Sequence, residues 1–332
     1  MPKLEVLNSV LATIQDMGRY GYRSLGVPVS GALDRSSAVQ ANVLVSNPPG
    51  APLIESFGPI MLRALSDSIV AVTGALARIA IDGRAAAEYR PLWLPKGSVL
   101  EVGPPILGQV IYVAVAGRIS CDEVMGSCST YTRGGFGGLG GRPLRPGDVI
   151  EASLGGQGLE DLWSSISTRY VPEEGRVVYR LRQGVVLRVT PGPHRGVLGD
   201  DDWGRLLSET YTVAPESDRM GFRLRGPPLE SAKRLGRLPS FPVDRGFVQV
   251  PPAGTPIVLM ADAQTTGGYA VVAVVVPPDT DLLAQCPPGT PVRFAELGVD
   301  EAEDVTAQYL SYLESPEVSE VGPGFSEYDA YV

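Results

Sequence analysis

The chain has little of what catalytic and metal sites are usually built from. Its 332 residues include one histidine, His194, three lysines (Lys3, Lys96, Lys233) and three cysteines (Cys121, Cys128, Cys286). A lone histidine and cysteines without metal-ligand spacing give no zinc site, and no metal is expected. There is no G-x-S-x-G elbow for a histidine-based triad, and the lack of G-x-x-x-x-G-K-[ST] excludes a P-loop. The cysteines read as buried thiols in a reducing compartment. The N-terminus MPKLEVLNSVLATIQDMG has no basic-then-apolar signal pattern, and the longest apolar run, AVVAVVVPP, is too short to span a bilayer. A soluble, cytoplasmic protein is expected.

Charge of one sign is also missing from most of the chain. Residues 300–332 hold nine acidic residues and no Lys or Arg, so the other 299 residues balance 28 acids against 28 bases. No basic stripe is left for nucleic acid or for an anionic membrane surface. Of the bases, 25 are arginine, a bias that a GC-rich genome explains most simply.

What is abundant is punctuation. Forty glycines and thirty prolines are spread along the length, the mark of many short strands joined by tight turns. Strands are expected at 69–73, 77–81, 98–102, 110–116, 176–181, 185–190, 247–250, 256–260, 270–276 and 291–295. Helices are expected after Asp34, over Gly158–Arg169, over Asp201–Glu209 and over Asp300–Leu313, the first capped by Ser30 or Asp34. The polar stretch RYVPEEGR (169–176) reads as a linker. The halves on either side echo each other faintly, as in GPIMLRA (58–64) and GTPIVLMA (254–261). The expected organisation is 1–172 and 173–299 as two β-barrel-like halves, with 300–332 an acidic tail that is partly helical or disordered.

Several stretches carry more polar chemistry than a turn requires. MADAQTTGGYAVVAVVV (260–276) places Asp262, Gln264, Thr265, Thr266, Gly267, Gly268 and Tyr269 between two apolar runs, where a hairpin needs two to five residues. Gln249 alternates with apolar neighbours on a strand, so its amide faces the interior or satisfies nearby backbone. Glu55, in the apolar LIESFG, needs a partner if buried. The glycine-rich RGGFGGLGGRPLRPGD (133–148) is either an anion cradle beside Arg133 and Arg142 or a solvated loop. Asp16 and Arg19, three residues apart, are expected to pair. His194 stands in the loop TPGPHRG, where a surface or supporting role is commoner than that of a general base.

Taken together, these motifs form a signature. TIQDMGRYGYRSLGVPVSGALDR (13–35), ANVLVSNP (41–48), VTGA (72–75), VAVAGRI (113–119), GSCSTYTRGGFGGLGGRPL (126–144), PGPH (191–194), ESDRMGFRLRG (216–226) and GFVQVPPAGTPIVLMADAQTTGGY (246–269) stand in order from about Leu4 to Leu297. The chain resembles the allophanate hydrolase subunit 2 family, also called the KipA or biotin-dependent carboxyltransferase-like family. Within it the likeness is greatest to the C subunits of ATP-dependent 5-oxoprolinases. The resemblance implies a mainly β fold of two cyclophilin-like β-barrel domains with a few short helices. It also implies a small amide or lactam substrate and a subunit-B-like partner (similar to KipI or allophanate hydrolase subunit 1), with an A subunit in the same assembly. ATP would then be shared with or bound by a partner, and biotin would enter only if the module were a urea or amide carboxyltransferase. A regulatory, KipA-type binding role is the third setting. The chain has no biotin-carrier Met-Lys motif and no ATP-grasp pattern, which favours lactam opening to L-glutamate.

Roles follow from residue type and motif membership. Asp262, Gln264 and Tyr269 are the expected catalytic groups, with Asp262 or Tyr269 managing the lactam proton. Gln249, Thr265, Thr266, Gly267, Gly268, Asp218, Arg219, Gln15, Arg19, Asp34 and Arg142 are the expected substrate-binding set. In that set an arginine would take a carboxylate or phosphate in a fork. The stretch after PGPH, RGVLGDDDWG, departs from the family pattern and leaves the part played by His194 open.

Overall fold

A computed structural model describes residues 1–235 and 238–321. Its two compact units do not follow the linear halves. Unit 1 comprises Met1–Gly18, Asp34–Tyr179 and the described residues from Tyr312 on; unit 2 comprises Arg19–Leu33 and Arg180–Ser311. The expected boundary at 172/173 therefore differs in three places, at the segment Arg19–Leu33, at Tyr179/Arg180 and at Tyr312. Within unit 2 the reason is visible in hydrogen bonds. Ser30 N–H donates to the Ala261 carbonyl at 3.0 Å, and the Ala32 and Leu33 carbonyls accept from the Arg245 guanidinium. Backbone groups of a loop must find partners somewhere, and those of 19–33 find them there.

Unit 1 is built on a ten-stranded sheet in which every recorded pairing is antiparallel. Two long strands, Ser68–Ile81 and Val99–Val115, form its spine. The sequence punctuates each as two strands, because both contain a glycine-bearing irregularity. At Gly74, φ is +87° and a Cβ would lie 2.2 Å from the Val110 carbonyl oxygen, so the two strands approach too closely there for a side chain. The core lies against this sheet and includes Ile14, Ile54, Leu62, Val72, Val102 and Val113.

Unit 2 is a closed barrel of seven strands. Around it run Val185–Pro191, Ala270–Val275, Phe247–Val250, Ile257–Leu259, Gly221–Arg225, Tyr211–Val213 and Pro291–Glu296. The seam between the last and the first is parallel and the other pairings are antiparallel. The mainly β class thus holds, with one closed barrel and one curled sheet.

The four expected helices appear as Arg35–Leu44, Leu159–Ile166, Asp200–Ser208 and Val299–Glu314. The remainder of the acidic tail, 322–332, lies outside the described residues. A further helix, Pro277–Ala284, begins with two prolines in its first turn, where the missing N–H costs nothing. The strand expected at 176–181 is instead a 3₁₀ turn, Val177–Gln183. That turn brings Tyr179 and Arg176 to one side, so the Arg176 guanidinium lies over the rings of Tyr89 and Tyr179 at 4.5 and 5.6 Å. Cys121 and Cys128 are joined in a disulfide, not held as free thiols, because the turn pairing Val124 with Ser127 brings their Cα atoms to 5.8 Å. Cys286 is a buried thiol. Among the described residues no helix is long and apolar enough to cross a membrane.

One buried charge ties the barrel to the helix that follows its strand Ala270–Val275. Asp279, on Pro277–Ala284, accepts from Arg188 Nε and N–H at 2.8 Å and from Arg180 Nη2 at 2.9 Å. Burial alone would raise this carboxyl, but the Arg188 and Arg180 hydrogen bonds outweigh burial and hold it below its ordinary value. A carboxyl depressed on folding adds stability that is present above the unfolded value of about 4 and is lost as pH falls through the folded one. Asp279→Asn is expected to cost about 2 kcal/mol at neutral pH and to remove that acid-side slope. Urea unfolding between pH 3 and 7 measures both, and parallel curves for variant and parent would contradict this account.

Candidate functional site

The site builds on a bulge. In the ladder between Phe247–Val250 and Ala270–Val275, Val248 faces Ala273 but Gln249 faces Val271, so Val272 is the extra residue. A bulge re-aims the side chains beside it. Here the Val272 and Val271 carbonyls accept at 2.9 Å from the N–H groups of Gly192 and His194, which seats the PGPH loop on the barrel strand. Val271 N–H donates to His194 Nδ1 at 3.3 Å. The His194 ring in turn lies 4.5 Å from the Phe241 ring, centroid to centroid.

Phe241 leads to the overbuilt stretch. Phe241–Pro242 pairs with Thr266–Gly267, forming a two-residue ribbon extended by Val243 N–H to the Thr265 carbonyl and Leu238 N–H to the Gly268 carbonyl. Gln264 Nε2 donates to Gln249 Oε1 at 3.3 Å. Gln249 is 2% exposed, and its Nε2 is a buried donor with no hydrogen-bond partner among the described residues. A Cβ at Gly267 would lie 2.6 Å from that nitrogen, so the glycine is what lets the Gln249 amide pack against the ribbon. His194, Phe241, Gly267, Gln249 and Val271 thus close a ring of contacts. Phe241 also packs on the small apolar cluster of Val243, Leu259, Ala263 and Val271 that backs it.

The other expected residues are placed as follows. Asp262 is buried and bonded by Arg219, whose Nε and Nη2 reach its carboxylate at 2.9 and 3.1 Å; Arg219 Nη2 also donates to the Gly31 carbonyl at 2.7 Å. This pair acts as a strut for the loop that carries Gln264. Asp218 turns the chain by accepting from Met220 and Gly221 N–H. Tyr269 is exposed at 38%, and Thr266 is exposed on the ribbon. Arg19 is fully buried, with its N–H on the Val29 carbonyl.

Those in unit 1 belong to separate networks. Gln15 donates to Thr13 and to the Thr130 carbonyl. Asp34 caps Arg35–Leu44 through Ser37 N–H and Oγ, and its own N–H donates to Tyr112, whose hydroxyl donates to Glu55. Glu55 therefore has its partner. Burial, then the Glu55 and Asp34 carboxylates, push the Tyr112 hydroxyl well up, which keeps it a donor. Asp16 does not answer to the expected pairing; its carboxylate accepts from Gly18, Cys128, Ser127 and Ser129. Arg142 is forked onto Asp148 at 2.7 and 2.8 Å, a bond that raises the guanidinium and lowers the carboxyl. The N–H groups of Gly134, Gly135, Gly140 and Gly141 are also spent within the protein. The solvated-loop reading of 133–148 fits these bonds and the anion cradle does not. Among the described residues no cluster of three His, Cys, Asp or Glu is arranged for a metal ion.

Comparisons place this architecture. Residues 25–296 match the family model described as the carboxyltransferase domain, subdomain A and B. The chain belongs to that family. It is 35% identical to the 5-oxoprolinase C subunit of Escherichia coli over 91% of this chain and 93% of that protein. It is 33% identical to the 5-oxoprolinase C subunit of Haemophilus influenzae, over 91% and 94%. The urea amidolyase of Kluyveromyces lactis shares the fold at a TM-score of 0.83 and 24% identity, matched over 98% of this chain and 21% of that longer protein. The family resemblance carried by the motifs is therefore borne out.

Two members of the ring, His194 and Phe241, are not legible as site residues in the sequence. The first has a signal, being the single histidine of the chain in a PGPH loop; the second has none, because contact with His194 depends on the ribbon. Gly267→Ala tests the geometry without removing any polar group. It is expected to displace the Gln249 amide and lower ligand affinity or turnover about tenfold while leaving the unfolding midpoint nearly unchanged. Full activity in a folded Gly267→Ala protein would show that the placing of the Gln249 amide is not used.

Proposed function

We propose that this carboxyltransferase-family chain works as the C subunit of a cytoplasmic, ATP-dependent 5-oxoprolinase, contributing the site that holds the lactam while partner subunits supply the rest. The observation that carries the reading is the buried Gln249 N–H without a partner among the described residues, in a chain similar over nearly its whole length to two proteins named as 5-oxoprolinase C subunits. A lactam carbonyl is a poor electrophile, and its oxygen gains negative charge when the carbon is attacked or the oxygen is derivatised. A preorganised donor in a dry site favours that charge at no reorganisation cost. Gln264, by donating to Gln249 Oε1, fixes which end of the Gln249 amide faces inward.

The remaining residues take supporting roles in this reading. Asp262 and Arg219 act as positioning residues through the loop. Tyr269 and the Thr265 and Thr266 hydroxyls are the groups left to meet the lactam N–H or the substrate carboxylate. ATP supplies the driving force for ring opening, in which the C–N bond breaks and water provides the new carboxylate oxygen of L-glutamate. The glycine-rich loop and Arg142 do not fit a nucleotide phosphate, since they are internally bonded. The nucleotide is therefore assigned to the subunit-B-like partner or to the A subunit, and no step is routed through it.

The family description favours one second reading, carboxyl transfer from biotin to urea or another amide, which would need a separate biotin carboxylase and carrier. Mixing the chain with its subunit-B-like partner, the A subunit, ATP and 5-oxoproline separates the two. Glutamate release is expected from the complete set alone, and Gln249→Leu is expected to lower kcat/KM by about tenfold to a hundredfold with assembly intact. Carboxybiotin-dependent carboxylation of urea without glutamate release would establish the second reading, and stable assembly with neither turnover would leave a regulatory binding protein.

A further inference from the structure

The chain's three cysteines differ in what their surroundings let them do. Cys286 is buried in unit 2 and its thiol donates to the Leu282 carbonyl; burial pushes that thiol well up, so it is inert. Cys121 and Cys128 are joined in unit 1 across a hairpin. Its turn residues, Met125 and Gly126, are both in the left-handed region, at φ +54° and +75°. Val124 and Ser127 close that turn by exchanging both backbone hydrogen bonds.

The two bonded sulfurs are not equivalent. Cys128 is fully buried, and its arm is pinned by Asp16, whose carboxylate accepts the Cys128 N–H at 2.6 Å and the hydroxyls of Ser127 and Ser129. Two residues on, Thr130 N–H donates to the Ile14 carbonyl at 2.9 Å. Cys121 is half-buried, and the residues that follow it, Asp122 and Glu123, are exposed. A solute thiolate attacks a disulfide at the sulfur it can reach, which here is Cys121. The Cys121 arm also holds the glycine-rich loop. Asp122 N–H donates to the Gly138 carbonyl at 2.7 Å, and Asp122 Oδ2 accepts from Gly140 N–H at 2.8 Å.

We propose that Cys121–Cys128 is a reversible redox site that exchanges with solute thiols at Cys121, and that its state sets how firmly Asp122 holds the glycine-rich loop. In the exchange a glutathione-type thiolate bonds to Cys121 Sγ, the S–S bond breaks, and Cys128 Sγ leaves with the electron pair and takes a proton. A second thiolate attacks the solute sulfur of this mixed disulfide and releases Cys121, which is protonated in turn. One protein disulfide is reduced and two solute thiols are oxidised to their disulfide, which drives the reverse reaction. Re-closure is intramolecular, because Asp16 and the Val124–Ser127 pair keep the arms together when the S–S bond is open. None of these residues belongs to the ring around Gln249, so the site stands apart from the proposed activity.

The test uses the full-length chain purified without reductant. Alkylation in denaturant followed by mass spectrometry should count one free thiol, at Cys286, and three after treatment with dithiothreitol. Glutathione disulfide should return the reduced protein to the one-thiol form. Cys128→Ser should collect a glutathione adduct at Cys121 about tenfold faster than Cys121→Ser collects one at Cys128. Hydrogen exchange should open the amides of 132–141 about tenfold more often in the reduced protein than in the oxidised one, while those of 1–15 keep their protection.

Three thiols that resist glutathione disulfide, unfolding of the reduced parent, or an adduct formed as fast or faster at Cys128 would each overturn the redox site. Equal protection of 132–141 in the two states overturns the link from Cys121 to the loop. Where a single-cysteine variant fails to fold, the parent's own mixed disulfide, trapped by acid during reduction, decides the same question. An adduct on Cys121 supports the assignment, and one on Cys128 contradicts it.

Discussion

The Arg219 guanidinium is the contact on which the second unit's polar architecture depends. One planar group holds the Asp262 carboxylate through two nitrogens and the Gly31 carbonyl through one of them. The bond is reinforced along the chain, since Asp262 N–H donates to the Arg219 carbonyl at 2.8 Å and Met260 N–H to the Met220 carbonyl at 3.0 Å. A buried ion pair contributes modest net stability against well-packed apolar groups, but losing one partner strands the other charge. Its value here is positional. It fixes the start of the loop 260–269, and with it the place from which Gln264 reaches Gln249. It also holds the backbone of 19–33 beside the same loop, which is why that segment belongs to the barrel unit despite its place in the sequence.

From that anchor the polar groups sort by whether their bonds are complete. Asp262, Asp279, Asp34 and Asp148 all accept from named donors, and their chemistry is spent on structure. Gln249 is different. A buried amide nitrogen without an acceptor costs about 1–3 kcal/mol, and a sequence fitted for stability alone would place an apolar residue at that strand position. The bond from Gln264 fixes the amide's orientation, and the glycine at 267 lets its nitrogen lie against the ribbon. Local features that sustain one destabilising group argue for a ligand more strongly than the amide does by itself.

The sequence was legible where a pattern had a local cause. Four helices were marked by capping residues or apolar periodicity, and the barrel strands by short runs of Val, Ile and Phe. Two kinds of information were not local. The long strands Ser68–Ile81 and Val99–Val115 look like four because Gly74 and its neighbours interrupt the pattern, while the strand continues through the irregularity. The stretch 176–181 is rich in Val and Tyr like a strand but turns, with Arg176 lying over the rings of Tyr89 and Tyr179, a tertiary interaction. The site shows the same division. Gln249, Gln264 and Gly267 were identifiable as unusual for a strand and a turn, yet nothing in the order of residues distinguishes Asp262, a strut, from Gln249, a bare donor. That distinction depends on Arg219, forty-three positions away. His194 became informative once the fold set Val271 N–H against its ring.

The character of the ring also bears on why such a chain would need partners. Its members offer an amide donor, an imidazole, an aromatic ring and a glycine against which the amide packs. Asp262, the nearest carboxylate in the motif, is bonded by an arginine, and the hydroxyls beside it, Thr265 and Thr266, lie on a two-residue ribbon. Donors of this kind stabilise charge on an oxygen but do not form the bonds of an acyl or phosphoryl transfer. In the proposed reading, a site so equipped binds and polarises an amide and leaves it intact until a partner delivers an activating group. The same equipment serves a lactam awaiting phosphorylation or an amide awaiting a carboxyl group. On that reading, one fold can be attached to more than one reaction: recognition of the oxygen belongs to the barrel, while the identity of the reaction is set by whichever component brings the activated group.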